Sequence, residues 1–284
     1  MRKRNVFYFV FLLPSLLGVT FFYIIPFLFS FYYAITDNMG SLRFVGLRNF
    51  ADTLGNSLFQ QATVNTLTFM AVSIPLGMVL ALLIALSLQR LHSGRALAAL
   101  AMCLPLVVPS GTIVYFWKAM VGENGLIREL LLWMGVSHEW VAQSNWGMGI
   151  LTVVFLWKNV GYNVILFWSG LNWIPKTYYE QMALEGAGIW WQFRHVTWTY
   201  LLPTTFVVLL MSIVNSFKVF KEIYMLYGPY PDSDIYMLQH YMNNQFQALN
   251  LQKLTSAAYI LFVAISATLL VVFYVQKRLT STYE

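Results

Sequence analysis

The sequence has few charged residues and a single cysteine. Only 10% of its 284 residues are charged, whereas about a quarter is typical of a soluble domain. Hydrophobic residues make up 59%, and the mean hydropathy is +0.63. Cys103 is the one cysteine and lies in an apolar run, so neither an intrachain disulfide nor a cysteine-based metal cluster is available. This composition excludes a soluble globular domain and indicates an integral membrane protein.

Signatures of catalysis and of nucleotide binding are missing as well. The sequence contains no GxxxxGK[ST] phosphate loop, so we expect the chain neither to bind nor to hydrolyse ATP. Its histidines show neither metal-ligand spacing nor a Ser/His/Asp pattern. They are His92, His138, His195 and His240. The net charge of +6 comes without basic runs interleaved with polar residues, which disfavours a nucleic-acid partner. We therefore expect no catalytic residue, no metal and no cofactor in this chain.

Long apolar segments dominate the sequence. A membrane-spanning helix needs roughly 20 apolar residues. Six windows qualify, at residues 7–33, 66–88, 96–117, 147–171, 201–218 and 255–275. The first window is too long for the hydrophobic region of a signal peptide and has no small-residue cleavage pattern after it, so we interpret it as a retained span. The sequence thus predicts an all-α integral membrane protein with six transmembrane helices and both termini on one side.

Lysine and arginine residues favour one orientation in the membrane. The positive-inside rule assigns the face with more Lys and Arg near the span ends to the cytoplasm. On one face the cations lie close to the span ends: Arg2, Lys3, Arg4, Arg90, Arg95, Lys176, Arg194, Lys277 and Arg278. On the other face they lie mostly in longer loops: Arg43, Arg48, Lys118, Arg128, Lys218, Lys221 and Lys253. This bias predicts cytoplasmic termini and a cytoplasmic loop between the fourth and fifth spans.

That loop is the most polar long stretch of the chain. Its segment "KTYYEQMALE" favours a helix, and Gly186 suits the left-handed position that ends one. The following "AGIWWQFRHVTWTY" predicts a second helix leading into span five. The large apolar side chains of Trp190, Phe193 and Trp198 suit either an amphipathic helix lying on the bilayer or a docking surface for a cytoplasmic partner. The residues alone leave both interpretations open.

Polar side chains occur deep inside spans four and five. Such groups usually face a cavity or a partner because their burial in lipid is costly. Amides and aromatic rings can bind a sugar by hydrogen bonding and stacking, but Asn and Ser also form hydrogen bonds between helices. The two groups lie at similar depth, so they are candidate solute-binding residues or interhelical contacts. The candidates are Phe155, Lys158, Asn159, Tyr162, Asn163, Asn215, Ser216 and Phe217.

Lys158 needs a specific explanation, because it lies near the middle of the fourth span. A charge there costs at least ~2.5–3.5 kcal/mol on insertion scales. None of the six windows contains Asp or Glu, so we expect no counter-ion within the chain. Three explanations remain: a carboxylate on a partner subunit, a hydrated cavity with hydroxyl acceptors, or an anionic solute such as a uronate-bearing oligosaccharide.

The order of these segments resembles the permease subunits of binding-protein-dependent ABC importers. The loop is similar to their EAA loop, with Gln181, Met182, Glu185 and Thr199 as departures from the family pattern. The matching positions are Ile174-Pro175, Tyr179-Glu180, Gly186-Ala187, Trp190, Phe193, Val196-Thr197 and Pro203. The segments "LPLVVPSGTIVYFWKAM" and "SFKVFKEIYMLYGP" resemble the first permease of carbohydrate importers, the type exemplified by the maltose and glycerol-phosphate systems.

The resemblance implies a type I ABC importer permease fold with a cytoplasmic coupling-helix loop. It implies an N-terminal helix and external loop at 1–60, a transmembrane core at 61–276 with the loop at 174–200, and a tail at 277–284. The implied function is half of the translocation path for a sugar or oligosaccharide in a bacterial cell membrane. Alternatives are a permease of the same fold for a polyamine, peptide or phosphate ester, or a membrane scaffold or channel.

The resemblance also implies partners. These are a second homologous permease, two copies of a cytoplasmic ATPase that binds ATP and Mg²⁺, an extracytoplasmic solute-binding protein and membrane lipid. The loop would dock on the ATPase. The implied coupling residues are Tyr179, Glu180, Ala183, Glu185, Gly186, Ala187 and Phe193. Without the resemblance, Glu180 is an ordinary solvated glutamate and Gly186 a plain helix cap.

Overall fold

The computed structural model describes residues 12–37, 43–91, 93–121, 125–135 and 147–280. Apart from one isolated bridge between Thr36 and Phe44, the regular structure in these ranges is helical. The helices are α1 (Leu12–Ala34), α2 (Arg48–Leu54), α3 (Ser57–Arg90), α4 (Arg95–Val107), α5 (Ser110–Val121), α6 (Leu126–Trp133), α7 (Gly147–Asn172), α8 (Lys176–Leu184), α9 (Ile189–Gln192), α10 (Trp198–Lys218), α11 (Phe220–Tyr227), α12 (Leu238–Gln247) and α13 (Leu251–Thr280). The predicted all-α class is confirmed for the described part of the chain.

The number of membrane-spanning helices agrees with the sequence. Within the described ranges, five helical segments are long and apolar enough to cross a membrane, and α4 with α5 forms a sixth if the bent pair counts as one span. The five segments are Leu12–Ala34, Ser57–Arg90, Gly147–Asn172, Ile189–Tyr227 and Leu251–Arg278. Residues 7–11, where the first span was predicted to begin, lie outside the described residues.

The third span is bent, and a proline explains the bend. The sequence predicts one span over 96–117, whereas α4 and α5 meet at an angle of 95°. Val108 is extended between them, with φ of −68° and ψ of 127°. Pro109 follows it, and proline disfavours the helical conformation at the preceding residue and lacks an N–H group. The predicted span over 96–117 is therefore made of two helices that meet at the proline.

The fifth span is longer than its predicted window of 201–218. Helix α9 continues through the π-helical turn Phe193–Thr197 into α10, and α11 follows after Val219. The helical run Ile189–Tyr227 therefore covers 39 residues. It ends at Gly228, whose φ of 79° only glycine adopts readily. One run thus joins the second helix of the polar loop to the far end of the span.

The chain divides into two compact units. The first comprises Met1–Gln60 and Tyr241–Ser266, and the second comprises Gln61–His240 and Ala267–Glu284. In the first unit, aromatic rings pack α1 against α13. The ring centroid of Phe27 lies 4.8 Å from that of Tyr259 and 5.0 Å from that of Phe262. The domain boundaries implied at residues 60 and 276 stay a prediction.

The second unit has its main core among α3, α4, α7 and α10. The buried side chains of this core are Ala81, Ala85, Leu88, Ala99, Val164, Phe167, Leu171, Ile174, Val196, Leu201 and Val208. Helices α4 and α7 touch backbone to backbone at Gly161, where a Cβ atom would lie 1.7 Å from the carbonyl oxygen of Met102. This packing fixes the inner face of α7 beside α4 and α10.

Candidate translocation site and coupling loop

Helix α7 carries five of the eight candidate solute-binding residues. A spacing of four residues places Phe155, Asn159 and Asn163 on one face of the helix. These three are only 2%, 7% and 2% exposed, whereas Lys158 and Tyr162 are half-buried. The Phe155 ring packs edge-on against Phe69 at a centroid distance of 5.4 Å. Phe155, Asn159 and Asn163 are therefore directed into the protein, and Tyr162 is only partly so.

The two buried asparagines bond differently. Asn159 Nδ2 donates to the Phe155 carbonyl oxygen of its own helix at 2.9 Å. Asn163 Nδ2 donates to Ser212 Oγ on α10 at 3.1 Å, so an interhelical hydrogen bond is present at Asn163. The Asn163 Oδ1 atom is buried without a hydrogen-bond partner. Buried polar atoms normally have a hydrogen-bond partner. The Asn163 Oδ1 atom can therefore accept one more hydrogen bond at the α7–α10 interface.

The candidates on α10 lie near its end. Asn215 is half-buried, and its Oδ1 atom accepts a hydrogen bond from Lys218 Nζ at 3.0 Å. Ser216 is buried and donates to the Ile213 carbonyl oxygen at 2.6 Å. Phe217 is half-buried. The Asn215 side chain therefore bonds to a side chain of its own helix.

A small cavity between α7, α10 and α11 joins part of the candidate set. Its volume is about 80 Å³, and Phe155, Lys158, Asn159 and Asn215 line it. Tyr162, Asn163, Ser216 and Phe217 do not belong to its lining. Ligand pockets usually measure about 300–1,000 Å³, so this conformation has no room for a sugar at the site.

Glu222 corrects the expectation for Lys158. Lys158 Nζ lies 2.5 Å from Glu222 Oε1, and the two side chains are 20% and 2% exposed. Both line the small cavity. The prediction that the chain offers no counter-ion is wrong, because the fifth span continues as α11 beyond its predicted end. A short, charge-assisted contact of this kind is among the stronger protein hydrogen bonds.

Lys218 and Glu222 are cavity residues that the candidate set missed. Lys218 was interpreted as an outer-loop cation, and Glu222 was placed beyond the membrane. A signal for both was present, since residues 204–227 contain neither proline nor glycine and Gly228 is the first helix-ending residue. Extending the helix to that stop places Glu222 one turn after Lys218 and in the same helical run.

The polar loop has the predicted helix–glycine–helix geometry. Helix α8 ends at Leu184, and Gly186 follows its C-cap residue Glu185 with φ of 77°. The Gly186 N–H donates to the Ala183 carbonyl oxygen at 3.1 Å, and the Ala187 N–H donates to that of Met182 at 2.9 Å. This pair of bonds is a Schellman motif, which satisfies the last carbonyls of a helix.

Side-chain contacts hold the two loop helices together. The hydroxyl groups of Tyr179 on α8 and Thr197 in the turn after α9 are 2.9 Å apart, which joins the two parts of the loop. Within the second part, the Trp190 ring stacks on Phe193 at 5.7 Å. Tyr179, Ala187 and Phe193 are half-buried. The other implied coupling residues are exposed, and they are Glu180, Ala183, Glu185 and Gly186. The loop therefore combines an internal scaffold with an accessible outer surface.

Large apolar side chains enlarge that outer surface. Leu184, Ile189 and Trp190 are 89%, 77% and 69% exposed. Apolar side chains exposed to this extent on adjacent elements mark an interaction surface for protein or lipid.

The described histidines lie at two separate places. His195 stacks on Trp191 in the loop, with ring centroids 4.0 Å apart. His240 is fully buried and its Nδ1 atom accepts the Met237 N–H at 3.2 Å. Burial lowers the pKa of His240 to about 4, so its ring is neutral at physiological pH. His92 and His138 lie outside the described residues.

Comparison with known proteins agrees with the resemblance seen in the motifs. The family described as "Binding-protein-dependent transport system inner membrane component" matches residues 65–281. The probable starch degradation products transport system permease protein AmyD of Thermoanaerobacterium thermosulfurigenes is 26% identical over 280 residues, which are 97% of this chain and 96% of that protein. The arabinooligosaccharides transport system permease protein AraP of Bacillus subtilis is 29% identical over 238 residues, 79% of this chain and 75% of that protein.

A solved structure shows the same fold. The match is a chain from the crystal structure of a bacterial ABC transporter involved in the import of the acidic polysaccharide alginate. Its TM-score is 0.85 at 21% identity, and the alignment covers 98% of this chain and 97% of that chain. The type I importer permease fold is thereby confirmed. With the family match covering more than half of the sequence, the chain belongs to the binding-protein-dependent transport system inner membrane components, a family of membrane transport permeases.

Proposed function

We propose that this chain is one of two permease subunits of an ABC importer for an oligosaccharide. The relatives AmyD and AraP are named for starch degradation products and arabinooligosaccharides. The cavity lining offers two amides, one aromatic ring and two ammonium groups, from Asn159, Asn215, Phe155, Lys158 and Lys218. Such groups can hydrogen-bond the hydroxyls of a sugar and cover its apolar face, which supports a sugar as the solute.

The observation that carries the proposal is the continuous helical run Ile189–Tyr227. Its first turn belongs to the polar loop, and its far half supplies Asn215 and Glu222 to the cavity. At a rise of 1.5 Å per residue, Ile189 and Asn215 are about 39 Å apart along the helix. A displacement of the loop would therefore move the cavity wall as part of one rigid element, which suits alternating access by rigid-body rocking.

The proposed complex assigns the remaining roles to partners. A second, homologous permease completes the translocation path, and two cytoplasmic ATPases bind ATP with Mg²⁺. A solute-binding protein delivers the sugar from outside the cell. The loop docks on one ATPase through Tyr179, Glu180, Ala183, Glu185, Gly186, Ala187 and Phe193. The distribution of Lys and Arg supports a cytoplasmic loop and cytoplasmic termini in a bacterial cell membrane.

The solute of this importer needs no negative charge. Glu222 already compensates Lys158, so the burial of Lys158 gives no separate reason to expect an acidic sugar. Lys218 is the second cation in the cavity lining, which therefore contains two ammonium groups and one carboxylate. A neutral oligosaccharide is compatible with this lining, and the ammonium group of Lys218 could also bind the carboxylate of a uronate.

The test is transport by the purified complex. The chain would be co-expressed with its neighbouring permease and ATPase, reconstituted in liposomes with the binding protein, and offered labelled maltodextrins, arabino-oligosaccharides and oligouronates. We expect ATP-dependent uptake of at least one of them and a complex of two permeases with two ATPases by native mass spectrometry. ATP-dependent uptake of a polyamine, peptide or phosphate ester alone would replace the sugar assignment. Uptake without an ATPase would contradict the importer.

A further inference from the structure

A second and larger cavity lies beside the polar loop. Its volume is about 760 Å³, and it lies within the second unit, between the end of α3, the start of α4 and the helices α8 and α9. It shares no lining residue with the small cavity near Lys158. Its size falls within the usual range of about 300–1,000 Å³ for ligand pockets.

The lining of this larger cavity is cationic. Arg90, Arg95 and Lys176 contribute to it, and each is exposed or half-buried. Two ion pairs occur in the described part of the chain, Arg48–Asp52 and Lys158–Glu222, and neither involves these cations. The described residues that line the cavity include no Asp or Glu. Three cations without a lining carboxylate favour an anionic ligand.

The rest of the lining is apolar. Leu83 and Leu86 from α3 face the cavity together with Ile189 and Trp190 from α9. Leu83, Ile189 and Trp190 are 56%, 77% and 69% exposed, so this wall is accessible. A soluble anion would satisfy the cations and leave the wall in water. A ligand with an anionic head and a hydrocarbon chain would satisfy both.

The end of a membrane-spanning helix borders the cavity. Helix α3 is a membrane-spanning segment that ends at Arg90, and α4 begins at Arg95. Ends of spanning helices lie at the membrane interface, where Trp and Tyr are enriched, and Trp190 and Tyr179 both line the cavity. Basic pockets between transmembrane helices on the cytoplasmic side are suited to anionic lipid headgroups.

We propose that this cavity binds an anionic phospholipid. The phosphodiester lies among Arg90, Arg95 and Lys176, and an acyl chain runs along Leu83 and Leu86. The lipid bridges the end of α3, the start of α4 and the two loop helices, and so stabilises the position of the loop. This inference does not rest on the sugar specificity of the proposed function, and it shares the lining residues Tyr179 and Phe193 with the proposed ATPase contact.

The experiment measures lipid binding to the intact transporter complex. Delipidated complex in detergent is titrated with phosphatidylglycerol or phosphatidylcholine, and bound lipid is counted by native mass spectrometry. The test variant is Arg90→Gln/Arg95→Gln/Lys176→Gln. Lys277→Gln is the matched control, because it removes an exposed cation from the last turn of α13, away from the cavity. We expect tighter binding of phosphatidylglycerol, a loss of about fivefold for each cation removed from the cavity, and no comparable loss in the control.

Several outcomes would overturn the proposal. Equal phosphatidylglycerol binding by the triple variant and the parent complex would do so, as would equal affinity for phosphatidylcholine. Displacement of the lipid by inorganic phosphate at the same concentration would assign the cavity to a soluble anion. If the triple variant fails to assemble, the parent complex in phosphatidylglycerol nanodiscs decides by electron cryomicroscopy. Lipid density beside Arg95 supports the assignment, whereas a partner's polypeptide in the cavity, or no lipid density there, contradicts it.

Discussion

At the scale of single residues, the ion pair of Lys158 and Glu222 explains a charge inside a membrane span. Removing an ion from water costs several kcal/mol, and a close counter-ion offsets much of that cost. The 2.5 Å contact joins α7 to α11 beside the small cavity. Lys158 therefore has a reason for its position within this chain, with no need for a carboxylate from a partner or solute.

The first prediction concerns the loss of one partner of this pair. Lys158→Met leaves Glu222 buried without its counter-ion, and breaking a buried pair typically costs about 3–5 kcal/mol. We expect a lower thermal midpoint of the complex and a lower yield. Lys158→Met/Glu222→Met removes both charges and should recover most of the stability, because apolar side chains can replace a buried pair at little cost. Thermal unfolding in detergent compares the two variants.

The double variant also separates stability from cargo charge. A thermal midpoint of Lys158→Met equal to that of the parent complex would show that the pair contributes little to the fold. If the double variant is stable and loses uptake of uronate-bearing sugars while retaining uptake of neutral ones, Lys158 binds acidic cargo in addition to Glu222. Equal effects on both sugars would restrict Lys158 to a structural role.

At the scale of helices, the contact between α4 and α7 depends on the missing side chain of Gly161. The second prediction is that Gly161→Ala disrupts this contact, since the new methyl group would lie 1.7 Å from the Met102 carbonyl oxygen. Overpacking typically costs about 1–3 kcal/mol, and a backbone atom can move away less easily than a side chain. We expect a clear decrease in the thermal midpoint of the complex.

Gly149→Ala is the matched control for that substitution. Gly149 lies on the same helix, and a Cβ atom there would meet nothing within 4 Å. Alanine also has the better helix propensity, by about 1 kcal/mol. A thermal midpoint lowered as much by Gly149→Ala as by Gly161→Ala would mean that the close approach of α4 is not the cause.

The same helices show what the sequence could and could not predict. Apolar windows identified the spans, because a bilayer imposes a minimum length that composition reveals. Hydropathy located the end of span five too early, since Lys218 and Glu222 lower the average while the helix continues to Gly228. The bend at Pro109 had a local signal, but its angle depends on tertiary packing. The pairing of Lys158 with Glu222 joins residues 64 positions apart and needs coordinates.

At the scale of the whole molecule, one helical run joins the polar loop to the small cavity. The Schellman motif at Gly186 sets the angle between α8 and α9, and α9 continues into the helix that carries Asn215. In the proposed complex, a force that the ATPase applies to α8 would reach the cavity through this turn. The turn should matter for transport even though none of its residues contacts the solute.

The last prediction tests that path with Gly186→Pro. Proline fixes φ near −65° and has no N–H, so it can neither adopt the observed φ of 77° nor donate to the Ala183 carbonyl oxygen. A misplaced proline typically costs about 3 kcal/mol or more, which corresponds to a loss of the observed turn by a factor of roughly 100. Because the observed turn would then rarely form, we expect ATP-dependent uptake to fall at least about tenfold, with membrane insertion and binding-protein affinity retained.

Gly188→Ala is the control, because Gly188 has φ of −69° and free space for a Cβ atom. Normal uptake by Gly186→Pro in reconstituted liposomes would show that the turn does not transmit the movement.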